Sequence, residues 1–93
     1  MYEKVFDALG NECRLRIVHM LIEKDMIAGD IANCFDIAQP SVSRHLEVLR
    51  RADLVRIKKN GTRVIYSLND ALLWEVSMYL MNVIRGRIVT EEG

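Results

Sequence analysis

The chain has 93 residues, of which 51% are hydrophobic and 28% charged, a composition that excludes intrinsic disorder and is typical of one small folded domain, residues 1–93. No apolar run reaches the roughly 20 residues that a membrane span requires, and the first residues show no signal-peptide pattern, so we expect no membrane association. The two cysteines are too few for a disulfide scaffold, which favours a reducing cytoplasm. A domain of this size suits a binding module better than a cleft enzyme.

The net charge of zero conceals an uneven distribution of charge along the chain. Residues 1–38 carry a net charge of −3 and residues 64–93 carry −2, whereas residues 39–63 carry +5. The basic side chains of the middle segment are Arg44, Arg50, Arg51, Arg56, Lys58, Lys59 and Arg63. Such a concentration is typical of a face that binds a polyanion, although charge alone fits a solvated surface equally well.

Apolar residues that recur every three or four positions predict four helices in the first part of the chain. Asn11 is a suitable N-cap for the second helix, and Pro40 falls in the first turn of the fourth, where its missing N–H costs nothing. In the fourth helix, Val42, Leu46 and Leu49 are expected to face inward. The predicted helices span residues 2–9, 12–24, 28–35 and 39–52.

The hydrophobic period then changes from that of a helix to that of a strand. Residues 54–58 alternate apolar and basic side chains, and residues 63–68 are rich in β-forming types. The Asn60-Gly61 pair between them is a strong signal for a hairpin turn. The predicted fold is therefore mainly α with a small β-hairpin, an α+β winged helix-turn-helix in the order α-α-α-α-β-β-α.

A final helix is predicted to begin at Asn69 or Asp70 and to end at Gly86, before a frayed tail at residues 87–93. Apolar residues cover most of the circumference of this helix, so it needs to be buried on more than one side. A second copy of the chain would cover the extra face, and a loosely packed terminal helix is the alternative. The predicted dimer interface joins residues 2–9 to residues 70–86 through Val5, Phe6, Leu9, Leu73, Trp74, Val76, Leu80, Val83 and Ile84.

Residues 28–49 have the pattern of a helix-turn-helix, two short helices joined by a tight turn. The N-terminal part of the second helix is the part that enters the major groove of DNA in such motifs. Its hydroxyl groups suit contacts with phosphates and bases, and an arginine can bind guanine through two hydrogen bonds. The candidate DNA-reading residues are Gln39, Ser41, Ser43, Arg44 and His45.

The basic hairpin, residues 54–68, is expected to flank the groove as a wing. Lys58, Lys59 and Arg63 lie around its tip at Asn60, where they can contact phosphates. Further phosphate contacts are expected from Arg50 and Arg51 at the end of the recognition helix.

Three stretches, residues 9–17, 39–46 and 64–68, resemble the ArsR/SmtB (arsenic-repressor) family, most specifically through Gln-Pro-Ser-Val-Ser-Arg-His-Leu at 39–46. The resemblance implies a dimeric winged helix-turn-helix repressor whose first and last helices form the dimer interface. It also implies that Gln39, Ser41, Ser43, Arg44 and His45 read the DNA and that residues 59–63 form the wing.

The usual metal sites of the family are not expected in this chain. Ile27 and Gly29 stand where many members have the cysteines that sense thiophilic metals, and the last helix has no histidine for a zinc-type site. Residues 26–32 resemble the metal-independent, SdpR-like branch of the family. We therefore expect no metal and no cofactor, and a protein that sequesters the regulator is a candidate release partner.

The two cysteines, Cys13 and Cys34, are candidates for a redox or metal pair, which would make the protein a thiol- or ligand-switched sensor. Cys13 falls in the first turn of the second helix, where the helix dipole and Arg14 are expected to lower the pKa of its thiol. Two thiols cannot complete a tetrahedral zinc site, and buried small hydrophobic residues are the favoured interpretation of both cysteines.

Three further features have a structural and a functional interpretation. His45 could titrate near neutral pH and tune DNA binding, but a direct DNA contact is favoured. Trp74 and Tyr79 are expected in the core or the dimer interface rather than in a ligand box. Near the start of the second helix, Arg14 and Arg16 are expected to pair with Asp7, Glu12 or Asp70 rather than to touch DNA.

The predicted function is a dimeric, sequence-specific DNA-binding repressor that recognises an inverted repeat with half-sites about 34 Å apart. A sensor with the same fold that is switched through Cys13 and Cys34 is the main alternative. A module that docks a protein partner is less favoured, because the basic segment coincides with the recognition helix. The sequence shows no Gly-rich phosphate loop, nucleophile–base arrangement or paired carboxylates, so an enzyme is not expected.

Overall fold

The computed structural model describes residues 1–86, which form helices and a small sheet. The helices are α1 (Glu3–Leu9), α2 (Glu12–Glu23), α3 (Ala28–Ala32), α4 (Gln39–Arg51) and α5 (Asp70–Ile84), and the strands are β1 (Met26–Ile27), β2 (Val55–Asn60) and β3 (Arg63–Leu68). The predicted tail at residues 87–93 lies outside the described residues. The predicted winged helix-turn-helix, mainly α with a β-hairpin, is confirmed.

Two asparagines cap α2 and α5 as predicted. The Asn11 side chain accepts a hydrogen bond from the backbone N–H of Arg14 at 3.1 Å, and the Asn69 side chain accepts one from Leu72 at 3.4 Å. Each bond satisfies one of the N–H groups that have no partner within the first turn of a helix. At the far end of α5, Gly86 adopts a left-handed φ of 76°, which ends the helix at the predicted residue.

The sheet has a third strand that the sequence did not predict. Strand β1 pairs antiparallel with β3 in the register Met26 to Tyr66 and Ile27 to Ile65, which gives the order β1-β3-β2. A two-residue segment is too short to show the alternating pattern of a strand, so the sequence does not predict β1. The strand forms because these two residues pair with the edge of β3. It places α3 directly against the sheet.

The helix-turn-helix has a shorter first helix than the predicted 28–35. Helix α3 ends at Ala32, because the next backbone bonds, from Cys34 to Ile31 and from Phe35 to Ala32, are those of tight turns. Residues 33–38 therefore connect α3 to α4 as turns and extended chain.

The hairpin closes with a two-residue turn, one residue later than the Asn60-Gly61 signal suggests. Asn60 and Arg63 are paired across the strands, so the turn residues are Gly61 and Thr62. Gly61 has a φ of 66°. A first turn residue with a positive φ is the requirement of a type II′ turn, which glycine meets without strain.

The hydrophobic core lies between α2, α4 and the base of the hairpin. Val42, Leu46 and Leu49 are 1%, 2% and 0% exposed, which confirms the predicted inner face of α4. The opposite face of α4 is thereby directed away from the core. The other buried apolar residues are Val5, Ala8, Ile17, Val18, Leu21, Ile31, Ala52, Leu54, Val55 and Val76.

Helices α1 and α5 contact each other through a tyrosine at the start of the chain. The Tyr2 hydroxyl donates to the Glu75 carboxylate at 2.6 Å, and the Tyr2 ring meets the Tyr79 ring edge-on at 5.3 Å between centroids. The molecule is elongated, with extents of 51 × 25 × 20 Å. Within residues 1–86, no helix combines the length and the apolar character needed to cross a membrane.

Candidate nucleic-acid interface

The N-terminal half of α4 presents polar side chains to solvent. Gln39, Ser43 and Arg44 are exposed and Ser41 is half-buried, on the sides of the helix away from the core. The Arg44 side chain makes no hydrogen bond or ion pair with any residue in 1–86. A guanidinium with all its donors available can make the bidentate contact with guanine that was predicted for it.

His45 occupies a different position from the other candidate DNA-reading residues. It is half-buried against α2, and its Nδ1 lies 3.2 Å from Nη1 of Arg14. Burial lowers the pKa of His45 below its usual range, and the nearby charges of Arg14 and Arg44 lower it further. At neutral pH the His45 ring is therefore uncharged.

The two arginines at the end of α4 both form ion pairs with Glu47. Arg50 donates two hydrogen bonds to the Glu47 carboxylate, from Nε at 3.0 Å and from Nη2 at 2.7 Å. Arg51 donates a third from its Nε at 3.0 Å. The hydrogen bonds from Arg50 and then Arg51 hold the pKa of Glu47 at about 2, against desolvation. Glu47 thus neutralises part of the charge that was expected to meet phosphates. The i, i+3 and i, i+4 spacings of this cluster are a signal by which the sequence could have revealed it.

The tip of the wing carries uncompensated positive charge. Lys58, Lys59 and Arg63 are exposed, and none of them forms an ion pair with a residue of the described chain. Lys59 and Asn60 are paired with Val64 and Arg63 across the hairpin, so the two strands hold these side chains at a defined spacing. The remaining basic residue of the wing, Arg56, has Asp53 at 3.9 Å.

The exposed apolar face of α5 lies opposite the side that packs on the core. Trp74 is 71% exposed, and Met78 and Met81 lie one and two turns further along the same side of the helix. Tyr79 is half-buried and packs on Tyr2, so Trp74 and Tyr79 do not form a common ligand box.

The predicted interface residues divide into three groups. Val5 and Val76 are 5% and 3% exposed, so they belong to the core of this chain and have almost no surface left for a partner. Leu9, Leu73 and Val83 are half-buried. Phe6, Trp74, Leu80 and Ile84 are exposed.

The cysteines lie in different surroundings, and the predictions for them were partly wrong. Burial raises the pKa of the Cys13 thiol, and the opposing charges of Arg16 and Arg14 do not compensate, so the pKa is raised where a lowered pKa was expected. Cys34 is exposed rather than buried, and its Sγ donates to the Asp30 carbonyl at 3.4 Å.

A metal site is not visible among the described residues. Within 1–86, no group of three or more histidine, cysteine, aspartate and glutamate side chains could hold a metal ion. Ile27 and Gly29, which align with metal-sensing cysteines only through the resemblance to the ArsR/SmtB family, lie at the end of β1 and near the start of α3.

The arginines at the start of α2 have partners that the sequence did not predict. Arg14 donates to the backbone carbonyls of Asp7 and Ala8 rather than to a carboxylate. Arg16 lies over the Phe35 ring, 4.6 Å from its centroid, and donates to the Cys34 carbonyl at 3.5 Å. Backbone carbonyls carry no sequence signal, so these contacts are known only from the tertiary structure.

Comparison with known proteins identifies the family. The model of "Bacterial regulatory protein, arsR family" matches residues 11–56, from the cap of α2 into β2. The chain is 38% identical over 80 residues to "Transcriptional repressor SdpR" of Bacillus subtilis, which covers 86% of this chain and 89% of SdpR. It is 34% identical over 97 residues to "HTH-type transcriptional regulator Rv2034" of Mycobacterium tuberculosis, covering 98% and 91% of the two chains.

A solved structure agrees with these relatives. The "ArsR-like Transcriptional Regulator from Rhodococcus sp. RHA1" matches 91% of this chain and 80% of its own with a TM-score of 0.83 and 26% identity. The helix-turn-helix, the wing and the relatives together confirm a DNA-binding transcription regulator rather than an enzyme. The chain belongs to the arsR family of bacterial regulatory proteins.

Proposed function

We propose that the protein is a transcriptional repressor that binds an inverted-repeat operator as a homodimer, with α4 in the major groove and the wing beside it. The observation that carries the proposal is the exposed guanidinium of Arg44 on the polar face of α4, which has no hydrogen-bond or ion-pair partner among residues 1–86. Gln39 and Ser43 are exposed on the same half of the helix, and the wing adds Lys58, Lys59 and Arg63.

Affinity and specificity come from different parts of this surface. Lysines and arginines that meet phosphates supply sequence-independent affinity, and side chains that reach base edges supply discrimination. The wing tip fits the first role and Arg44 the second. Arg50 and Arg51 contribute less than the sequence suggests, because Glu47 holds both.

The dimer uses the exposed face of α5. A large apolar face, with Trp74 at 71% and Ile84 at 77% exposed, is costly to leave in water and is the kind of surface that a second copy covers. In such a dimer the two recognition helices would enter major grooves on one side of the DNA, with half-sites about 34 Å apart.

Control of the repressor does not involve the usual metal sites in this proposal. Ile27 and Gly29 cannot ligate thiophilic metals, and the described residues of α5 include no histidine. A protein partner that sequesters the regulator would then take the place of a metal as the release signal. The alternative of a thiol switch through Cys13 and Cys34 has no support from the raised pKa of Cys13.

The proposal is tested by fluorescence anisotropy with the duplex upstream of the protein's own gene and with a random duplex, at about 50 and about 200 mM salt. We expect a preference of about 10³-fold or more for the upstream duplex. Equal, steeply salt-dependent binding to both would contradict specific recognition at that site, and no binding to either would favour a protein-docking module. Zinc, cadmium or peroxide should leave the affinity unchanged.

A further inference from the structure

One guanidinium links three elements of the DNA-binding unit. Arg14, in the first turn of α2, donates from Nε to the carbonyl of Ala8 at 2.7 Å and from Nη2 to the carbonyl of Asp7 at 3.3 Å. Its remaining nitrogen, Nη1, lies 3.2 Å from Nδ1 of His45 in α4. The two carbonyls belong to the last turn of α1, and the Asp7 carbonyl also accepts the backbone N–H of Gly10 at 3.2 Å.

The position of this guanidinium is well defined. The backbone N–H of Arg14 is held by the Asn11 cap at 3.1 Å, and the side chain is half-buried between α1 and α4. Three donor groups of the planar guanidinium are directed at three fixed acceptors on two other helices. Lysine could not reproduce this arrangement, because its ammonium is a single donor centre on a flexible stem.

The contact determines the protonation state of His45. A guanidinium has only donors, so Nδ1 of His45 must accept, and the ring proton of the neutral imidazole is on Nε2. A second proton on Nδ1 would remove the hydrogen bond and place two cations 3.2 Å apart. The lowered pKa of His45 agrees with this geometry.

We propose that Arg14 is a positioning residue for operator recognition: it ties α4 to the end of α1 through the neutral His45 ring. The inference rests on the proposed function, because it concerns how the recognition helix is held for DNA. Since α1 contacts the dimerisation helix α5 through Tyr2, the link also connects the recognition helix to the proposed dimer interface. His45 therefore acts within the protein rather than as a reader of bases.

The link predicts a pH dependence of operator binding. The charged groups that face His45 are Arg14 of α2 and Arg44 of its own helix, and both disfavour the imidazolium. The pKa of His45 in the folded protein is below the ordinary value of about 6.5. The link is thus complete above about pH 6.5 and is lost as the pH falls through the lowered pKa.

The experiment compares Arg14→Met, Arg14→Lys and His45→Asn with the wild type, on the upstream and random duplexes, from pH 5 to 8. At pH 7.5 both Arg14 variants should bind the upstream duplex about tenfold more weakly, while binding to the random duplex should be much less affected. Arg14→Lys keeps the charge, so its weakening isolates geometry from electrostatics. His45→Asn keeps an acceptor near the position of Nδ1 but has no group that titrates in this range, so its operator affinity should not decline in acid.

Nitrogen-15 NMR of the His45 ring tests the contact in the absence of DNA. We expect the proton on Nε2, and a rise in the pKa of His45 in Arg14→Met but not in Arg16→Met, which removes an arginine of the same helix that faces Phe35 instead. Urea unfolding of each variant shows whether it is folded under the binding conditions.

Two results separate the failure of this inference from the failure of the proposed function. If the wild type prefers the upstream duplex and Arg14→Lys keeps the full preference, Arg14 is not a positioning residue and the repressor function stands. A proton on Nδ1 of His45 would also overturn the inference. If the wild type shows no preference between the duplexes, the proposed function and the inference both fail.

Discussion

The side chain of Asn69 joins the start of α5 to the second residue after α4, through a 2.8 Å bond from Nδ2 to the carbonyl of Asp53. Asn69 is only 7% exposed, and its own backbone N–H donates to the Leu54 carbonyl at 2.9 Å. Asp53 has a left-handed φ of 64°, which turns the chain from α4 into the hairpin. One buried amide therefore caps α5 and sets its direction relative to α4.

Replacement of Asn69 by alanine should lower the free energy of unfolding by about 2–3 kcal/mol, because it removes a cap and leaves the Asp53 carbonyl without its partner. Asn69→Asp keeps the cap acceptor but loses the donor, so its effect should be comparable or larger as its carboxylate meets Asp53. Urea unfolding followed by circular dichroism measures both. A cost below about 0.5 kcal/mol for the alanine variant would contradict the assigned role.

Arg44→Ala should remove most of the preference for the operator over random DNA and retain weak general binding, because Arg44 is assigned to base contacts. The expected loss is about 1–3 kcal/mol of discrimination. Arg51→Ala is the matched control, since it removes an arginine of the same helix that is held by Glu47. Anisotropy titrations should show little change in preference for the control. If Arg44→Ala retains the operator preference, base reading is assigned to the wrong residue.

Replacement of Lys58 and Lys59 by glutamine should weaken binding to operator and random DNA alike. Each lost phosphate contact should reduce the slope of log K against log salt by about 0.9, so the pair should reduce it by up to about 1.8. The measurement is a series of titrations over a range of salt concentrations. A change in operator preference with an unaltered slope would show instead that the wing reads bases.

Trp74→Glu should convert the proposed dimer into a folded monomer. Trp74 is 71% exposed in the single chain, so a charge there costs the monomer little but would be buried between two copies of α5. Leu15→Glu is the control, because Leu15 is also an exposed apolar residue, at 53%, but lies on α2. Sedimentation equilibrium should find the control still dimeric. A dimeric Trp74→Glu would place the interface elsewhere.

The thiol of Cys34 should react with a disulfide reagent faster than that of Cys13. Cys34 is exposed, whereas Cys13 is half-buried and burial raises its pKa, which lowers the fraction of reactive thiolate at neutral pH. The single variants Cys13→Ser and Cys34→Ser allow the two rates to be measured separately, and both thiols should react equally in denaturant. A faster Cys13 in the folded protein would revive the interpretation of a helix-activated thiol.

Several site features were predictable because their causes are local in the chain. The inner face of α4 follows from Val42, Leu46 and Leu49 at helical spacing, and the caps follow from asparagines ahead of apolar helices. The cluster of Glu47 with Arg50 and Arg51 also has a local cause, the i, i+3 and i, i+4 spacings of its residues. In each case the interacting groups lie within one or two turns of helix.

For individual side chains, too, the accuracy of the prediction depended on whether the interacting groups are close together in the chain. Arg44 is exposed as its position on α4 predicts, because the opposite side of the helix is apolar. His45, one residue later, lies against Arg14, which is 31 positions away in the chain. Val5 and Val76 were assigned to a partner on helical pattern, but they are buried within one chain, since periodicity shows that a face is apolar and not what covers it.

The helix-turn-helix, the hairpin, the caps of α2 and α5 and the basic segment follow from the amino-acid sequence alone, because hydrophobic period, capping and turn chemistry operate over a few neighbouring residues. By contrast, the pairing of β1 with β3, the contact of Arg14 with His45 and the bond between Asn69 and Asp53 are seen only in the folded chain. These contacts use backbone groups or residues far apart in the chain. Their existence depends on how the elements pack, which no local pattern records.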